Sequence, residues 1–300
     1  GTASASRPRS ARVPVLVARR PAVHRVARGT AGRVRSPSAG VASLPLAVCL
    51  MLFLVLPPVA LVSRWVGLGA TGAGAVSSRL VLQATLLSLS TTAVTMVIVV
   101  LFGTALAHVL SLGRFPALRV FSVFVELPIV MPPAVAGLAL LAAFGRQGLL
   151  SGVLPGAHIR VTFTPLAVIL AQLFVASPYY IRAAQARFSA VPRELHDAAE
   201  MDGSGGVRTF WHVTLPLSRR ALLSALTLTW SRALGEFGAT ILVAGNLPRR
   251  TQTMTLLVYS ALERDLGACF TVAILLLGLA AVALGAVRYL AHLDRREEAS

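Results

Sequence analysis

Six long apolar runs, separated by shorter polar segments, dominate the pattern of hydrophobic and polar positions along the chain. Each run has roughly the 20 residues that an α-helix needs to cross a hydrocarbon core about 30 Å thick. None alternates polar and apolar residues as the strands of a membrane barrel do. The runs cover residues 43–62, 80–110, 120–144, 163–181, 221–244 and 266–287. The pattern predicts an all-α, polytopic membrane protein with about six transmembrane helices.

Paired prolines interrupt two of these runs. Pro57-Pro58 lies in the first run and Pro132-Pro133 in the third. Because proline lacks an N–H donor and crowds the preceding turn, we expect a kink at each pair. A glycine-rich stretch at 67–76 predicts a loop after the first helix.

The charge distribution predicts how the chain is oriented in a membrane. Of the 300 residues, 56% are hydrophobic and 13% charged, and the mean hydropathy of +0.76 excludes an ordinary soluble domain. The formal net charge of +17 rests on 28 arginines, with no lysine. Twenty arginines fall in the two ends and in alternate loops, seven fall in the opposite loops, and Arg232 lies within a run. The positive-inside rule therefore predicts a multi-pass protein of the cell membrane with both termini cytoplasmic, and argues against a nucleic-acid partner.

Composition divides the chain into three parts. Residues 1–42 are rich in Arg, Ser, Pro and Gly, which predicts a basic, disordered cytoplasmic tail; the alternatives are a transit peptide or a segment that contacts anionic membrane lipid. Residues 43–290 form the predicted membrane domain, with a cytoplasmic loop at 182–220, and residues 291–300 form a short cytoplasmic tail. Cys49 and Cys269 lie in apolar runs and the histidines lack a metal-binding spacing, so we expect no metal site.

The loop at 182–220 is unusually polar for so apolar a chain. Its stretch "PRELHDAAEMDG" predicts a short helix that begins near Pro192 and stops at Gly203. A second helical piece follows, with apolar residues on one face, and Leu215-Pro216 is expected to end it. The acidic side chains disfavour a helix lying on an anionic leaflet. The loop is therefore predicted to be a docking surface for a soluble partner.

The same loop resembles the cytoplasmic "EAA" loop of ATP-binding-cassette importer permeases. The family pattern is Glu-Ala-Ala, three residues, Gly, nine residues, an aliphatic residue, any residue and Leu-Pro. The matching positions, with Glu200 just after the alanines, are Asp197, Ala198, Ala199, Gly203, Val213, Leu215 and Pro216. Asp197 replaces the usual Glu and keeps its charge. The resemblance implies that this segment, the coupling loop (residues 182–220), connects the membrane helices to a nucleotide-binding subunit.

The absence of lysine bears on where ATP is hydrolysed. A phosphate-binding P-loop has the pattern G-x-x-x-x-G-K-[ST], which a chain without lysine cannot contain. We therefore expect no cofactor in this chain, Mg-ATP on a separate ATPase, and no enzymatic activity of the chain itself.

Charged and hydroxyl side chains inside the runs are candidates for a translocation path or a gate. Arg232 and Glu236 are four residues apart and can pair. We favour packing or gating over direct anion contact, because an arginine beside a carboxylate is a poor high-affinity anion site. Ser88 and Thr92 share one helix face, where helix contact is the commoner role and a path the alternative. Glu126, near the start of the third run, is expected to cap a helix or to pair at an interface.

Three further segments resemble one branch of this importer family. Residues 126–150, 231–248 and 250–263 are similar to permeases of molybdate uptake systems, with sulfate/thiosulfate permeases as near relatives. The resemblance implies a homodimer, two ATPase subunits and an extracytoplasmic oxyanion-binding protein. The predicted function is alternating-access import of an oxyanion, with molybdate favoured and sulfate, thiosulfate or tungstate as alternatives.

An ion-coupled secondary transporter is the competing class. It would need carboxylates within the membrane for proton or sodium coupling, and the runs offer chiefly Glu236, which is already beside Arg232. It would also leave the coupling loop unexplained.

Overall fold

A computed structural model describes Gly1 and residues 37–73, 77–113, 116–150 and 161–297. The predicted tail at 1–42 lies mostly outside this part of the chain, as do residues 298–300. Every regular element in the described ranges is helical, in agreement with the predicted all-α class. The helices are α1 Pro37–Ala73, α2 Ser78–Ile98, α3 Thr104–Ser111, α4 Pro116–Val130, α5 Pro133–Phe144, α6 Pro165–Ser189, α7 Arg193–Met201, α8 Gly206–Thr209, α9 Leu215–Leu234, α10 Gly238–Ala244, α11 Met254–Leu262 and α12 Leu266–Glu297. Two π-helical turns, Val99–Gly103 and Phe210–Thr214, join α2 to α3 and α8 to α9.

Four helical stretches in the described ranges are long and apolar enough to cross a membrane, and a bent pair makes a fifth candidate. The four are Leu44–Gly69, Ser78–Ser111, Pro165–Ser189 and Leu266–Gly285. The fifth run of the sequence pattern differs, because it is divided between α9 and α10. Gly235 ends α9, and Glu236 accepts the N–H of Ala239 to begin α10, so the break has a local cause.

The two proline pairs behave differently. The expected kink at Pro132-Pro133 is present, because α4 and α5 meet there at a bend of 120°. The kink expected at Pro57-Pro58 was wrong in position. The backbone of α1 stays helical through both prolines and departs from helical angles at Gly69, which has φ 55°. Glycine adopts a positive φ without the steric cost that a Cβ would bring. The loop predicted at 67–76 was also wrong for residues 67–73, which belong to α1; residues 74–76 lie outside the described residues.

The chain forms two units, Gly1–Phe53 and Leu54–Ser300, and all of the buried clusters belong to the second. Helix α6 is central, and half of the residues in its most apolar stretch are buried. Its first half packs small residues, including Ala167 and Ala171, against α5 and α10. Its second half, with Ile181 and Ala184, meets α3 and α9. Small residues at helix contacts let backbones approach closely, as is usual in membranes.

Candidate functional site

The predicted helix of the coupling loop is present as α7. It begins directly after Pro192, as expected, with Glu194 in its first turn. It ends in a Schellman motif, in which the N–H of Ser204 donates to Ala199 O at 2.9 Å and the N–H of Gly203 donates to Glu200 O at 3.0 Å. Gly203 has φ 77°, which explains why a glycine stands at this position.

The outer surface of the loop combines acidic and apolar side chains. Asp197, Ala198, Glu200 and Gly203 are exposed, and Ala199 is partly so. Beside them lie three large apolar side chains that are also open to solvent: Met201 (83% exposed), Val207 (76%) and Trp211 (60%). An exposed cluster of this kind, rimmed by polar groups, is typical of a protein–protein interface.

The second piece of the loop does not end at Leu215-Pro216, contrary to the sequence prediction. Helix α8 runs through the π-helical turn Phe210–Thr214 directly into α9. The N–H of Leu215 donates to Phe210 O, five residues back. Pro216 directly follows the π-helical turn, at the start of α9. Leu215 is partly exposed and Pro216 is exposed. The loop is therefore continuous with α9.

Contacts that the sequence did not suggest fasten the loop to the neighbouring helices. His196 Nε2 lies 3.1 Å from the buried Thr214 Oγ1, which links α7 to the π-helical turn. Arg187 Nη2 donates to Leu217 O at 2.9 Å, which joins the end of α6 to the start of α9. Phe210 packs on His108 of α3 with ring centroids 4.3 Å apart. No motif or spacing in the sequence pointed to these partners.

The predicted pair of Arg232 and Glu236 is present, with Arg232 Nη1 donating to Glu236 Oε2 at 2.8 Å. The two residues do not share one helix face, because Glu236 follows the end of α9. Its side chain is fully buried, whereas that of Arg232 is 30% exposed. Glu236 Oε1 also accepts the N–H of Ala239 at 2.8 Å, and its backbone carbonyl accepts the hydroxyl of Thr255. Glu236 thus joins α9 and α10 through its carboxylate and reaches α11 through its backbone carbonyl.

The hydroxyls of α2 are buried at helix contacts. Ser88 Oγ accepts the N–H of Met254 at 2.8 Å, at the start of α11. Thr92 Oγ1 accepts from Gln172 Nε2 at 3.1 Å, and Thr95 Oγ1 donates to Gln172 Oε1 at the same distance. Sequence reasoning did not single out Gln172, since nothing local distinguishes a buried glutamine from other polar residues in a run.

Glu126 does not cap a helix, because α4 begins ten residues earlier, at Pro116. Instead it pairs with Arg182 of α6, at 3.0 Å between Oε1 and Nη2. The interfacial-partner alternative is therefore the one that the structure supports. Both side chains are 43% exposed, unlike the buried Glu236.

Several known proteins are similar to this chain in sequence. A probable transport system permease, NifC of Clostridium pasteurianum, is 38% identical over 60% of this chain and 64% of its own length. A probable sulfate transport permease, cysT of Helicosporidium, is 37% identical over 58% of this chain and 66% of its own length. The chain thus spans less than two thirds of these two relatives. A probable molybdenum ABC transporter permease of Haloferax volcanii is 37% identical over 82% of this chain and 87% of its own.

A solved structure has the same fold at low sequence identity. It is a bacterial alginate ABC transporter in complex with a periplasmic protein that holds an alginate pentasaccharide. The two structures align over 87% of this chain and 95% of the matched transporter chain, with a TM-score of 0.66 and 16% sequence identity. Residues 100–298 match the family described as the binding-protein-dependent transport system inner membrane component. The chain belongs to this family of membrane permeases.

Proposed function

We propose that this chain is the permease of an ATP-driven importer that carries an oxyanion, with molybdate as the favoured substrate. The observation that carries the proposal is the exposed surface of the coupling loop, where Asp197 and Glu200 adjoin Met201, Val207 and Trp211. A continuous helix leads from this surface into α9. A partner that binds it can therefore move α9 directly.

The partner that fits this surface is an ABC ATPase subunit. Since the chain has no lysine and hence no P-loop, Mg-ATP would be bound and hydrolysed by that partner. Asp197, Ala199 and Gly203 would lie in a cleft of the ATPase, and closure of the ATPase pair would be passed to the spans as alternating access. The arginine-rich loops and both termini then face the cytoplasm.

The assembly would be a homodimer with two ATPase subunits and an extracytoplasmic oxyanion-binding protein. The complex of the alginate transporter with a periplasmic protein supports the last of these by analogy. The molybdenum relative supports molybdate, and the sulfate relative supports the alternative of sulfate or thiosulfate. Tungstate, which has the same shape and charge as molybdate, is a further alternative.

The side chains inside the spans would serve gating and packing. Glu236 is held by Arg232 and by the N–H of Ala239, so little of its charge is available to a substrate. Ser88 and Thr92 would keep α2 in register with α11 and α6 while these helices move. Any role of these four residues in the translocation path would thus be indirect.

Uptake of labelled molybdate into vesicles tests the proposal. The vesicles contain this chain, its ATPase and its binding protein, with sulfate and tungstate as competitors. ATP-dependent uptake that tungstate blocks and sulfate spares is the expected result. Equal competition by sulfate would reassign the substrate, and uptake without ATP would favour the ion-coupled secondary transporter and overturn the proposal.

A further inference from the structure

The ion pair between Glu126 of α4 and Arg182 of α6 lies in a polar strip between these two helices. Arg182 Nη2 is 3.0 Å from Glu126 Oε1, and Arg182 Nη1 donates to Gln185 Oε1 at 2.9 Å. Ser122 stands one helical turn before Glu126, on the same face of α4. Each member of the ion pair is 43% exposed.

Arg182, which the sequence pattern placed at the start of the coupling loop, lies within the candidate membrane span Pro165–Ser189. The surroundings of Glu126 likewise indicate that the pair lies at the depth of the hydrocarbon. Glu126 is six residues into the apolar segment Val120–Val130, or about 9 Å along the helix axis. At the same level, α4 exposes the apolar side chains of Val123, Phe124 and Leu127 on its other faces. Those faces suit lipid, whereas the strip with Ser122 and Glu126 does not.

Charged side chains at this depth are costly when they face lipid, and they normally face protein or water. The strip is half open in the single chain, so something other than the residues of this chain must solvate it. In a permease, the element that meets this need is the aqueous path. Helix α6 continues directly into the coupling loop, so the strip lies on the half of the path nearer that loop.

The two ion pairs of the spans differ in how firmly their carboxylates are held. Glu236 is fully buried and accepts a backbone N–H in addition to Arg232. Glu126 is open to solvent, so a competing anion in water can replace it on the guanidinium. Arginine offers a planar set of donors that suits oxyanions, and its pairing with Glu126 would keep the binding weak. A site on a path must release its ion as readily as it binds it.

We propose that Arg182, positioned by Glu126 and Gln185, is a low-affinity oxyanion site on the water-filled path at the coupling-loop side of the membrane. The inference rests on the proposed function for the identity of the anion, but not for the exposure of the strip to water. These two components can therefore be tested separately.

Cysteine accessibility tests the exposure of the strip. In a background with Cys49→Ala and Cys269→Ala, Ser122→Cys keeps the ion pair intact and places a thiol in the strip, while the neighbouring Val123→Cys is the matched control on the apolar face. The full complex is reconstituted in vesicles with its coupling loops outward, and treated with a membrane-impermeant, negatively charged methanethiosulfonate. We expect Cys at 122 to react about tenfold faster than Cys at 123, because the reactive thiolate forms in water and not in hydrocarbon. Equal rates, or no reaction at either position, would mean that lipid or protein covers the strip and would overturn the proposal.

Transport by Arg182 variants tests the anion site. We expect Arg182→Gln to lower molybdate uptake per ATP hydrolysed by about tenfold, the loss expected for one hydrogen bond to a charged group. Arg182→Lys keeps the charge and should retain most of the uptake. If uptake and ATP hydrolysis fall together in Arg182→Gln, the residue is structural, and if neither changes it does not contact the anion; either result overturns the site. If the unmodified chain carries no oxyanion while Cys at 122 still reacts, the proposed function fails and the aqueous strip remains.

Discussion

Replacement of Glu236 by glutamine isolates the energetic role of the buried ion pair. The substitution keeps the size of the side chain, and its carbonyl oxygen can still accept the N–H of Ala239. It removes the negative charge that faces Arg232 at 2.8 Å and places an amide donor near the guanidinium. The change therefore removes one charge-assisted hydrogen bond and leaves the charge of Arg232 unpaired.

The expected loss follows from the burial of the two partners. A hydrogen bond to a charged group contributes about 1.5–3 kcal/mol. Breaking a fully buried ion pair costs about 3–5 kcal/mol, but only Glu236 is fully buried and Arg232 is 30% exposed, so we expect a smaller loss. We expect Glu236→Gln to lower the free energy of unfolding by about 2 kcal/mol. The matched control Glu126→Gln breaks a pair that is 43% exposed and should cost less than about 1 kcal/mol.

Reversible unfolding of the purified chain in mixed micelles measures both losses. A double variant with Arg232→Gln and Glu236→Gln should lose less than the sum of the single losses, since each single change leaves the other partner unpaired. The assembly of the complex should follow the same order, with Glu236→Gln impaired more than Glu126→Gln. Equal, negligible losses for the two glutamate variants would show that burial gives the pair no special role.

Three further substitutions test local features of the structure. Gly203→Ala should weaken ATPase binding and uptake, because a side chain at φ 77° is strained by about 1 kcal/mol. Gly203→Asn should retain both, because asparagine tolerates this region. Equal recovery of the ATPase by the two variants in a pull-down would refute this. Gln172→Met should lower the free energy of unfolding in micelles by about 2 kcal/mol, because Thr92 and Thr95 lose their buried partner. An unchanged free energy of unfolding would mean that these hydroxyls form other hydrogen bonds. Gly238→Ala should disrupt the contact of α5 with α10, because its Cβ would overlap Pro133, while Gly278→Ala meets open space and should be silent.

Much of the fold follows from local pattern in the sequence. Length and apolarity located the spans, and glycine at a helix end predicted the stop at Gly203. The spacing of Arg232 and Glu236 predicted their contact, because residues four apart are close whether or not the helix continues between them. Each of these inferences needs only neighbouring residues. The break that divides α9 from α10 was missed because it depends on a side-chain cap, which hydropathy does not register.

The remaining site contacts depend on packing between distant parts of the chain. Gln172 meets Thr95 across 77 residues of sequence, and no period or motif relates the two positions. The partner of Glu126 was likewise unspecified, since any arginine on the same side of the membrane was a candidate. The continuation of α8 into α9 was missed because a Leu-Pro pair is compatible with a helix start as well as a helix end. The π-helical turn that joins the two helices has no signature in the sequence.

The bond between Arg187 and Leu217 closes the coupling loop at its base. These residues are 30 positions apart in sequence, yet their side-chain and main-chain atoms meet at 2.9 Å. The two ends of the segment 187–217 therefore lie side by side. We expect that this segment can be exchanged between permeases while the spacing of α6 and α9 is kept, so that the surface offered to the ATPase changes and the membrane helices do not.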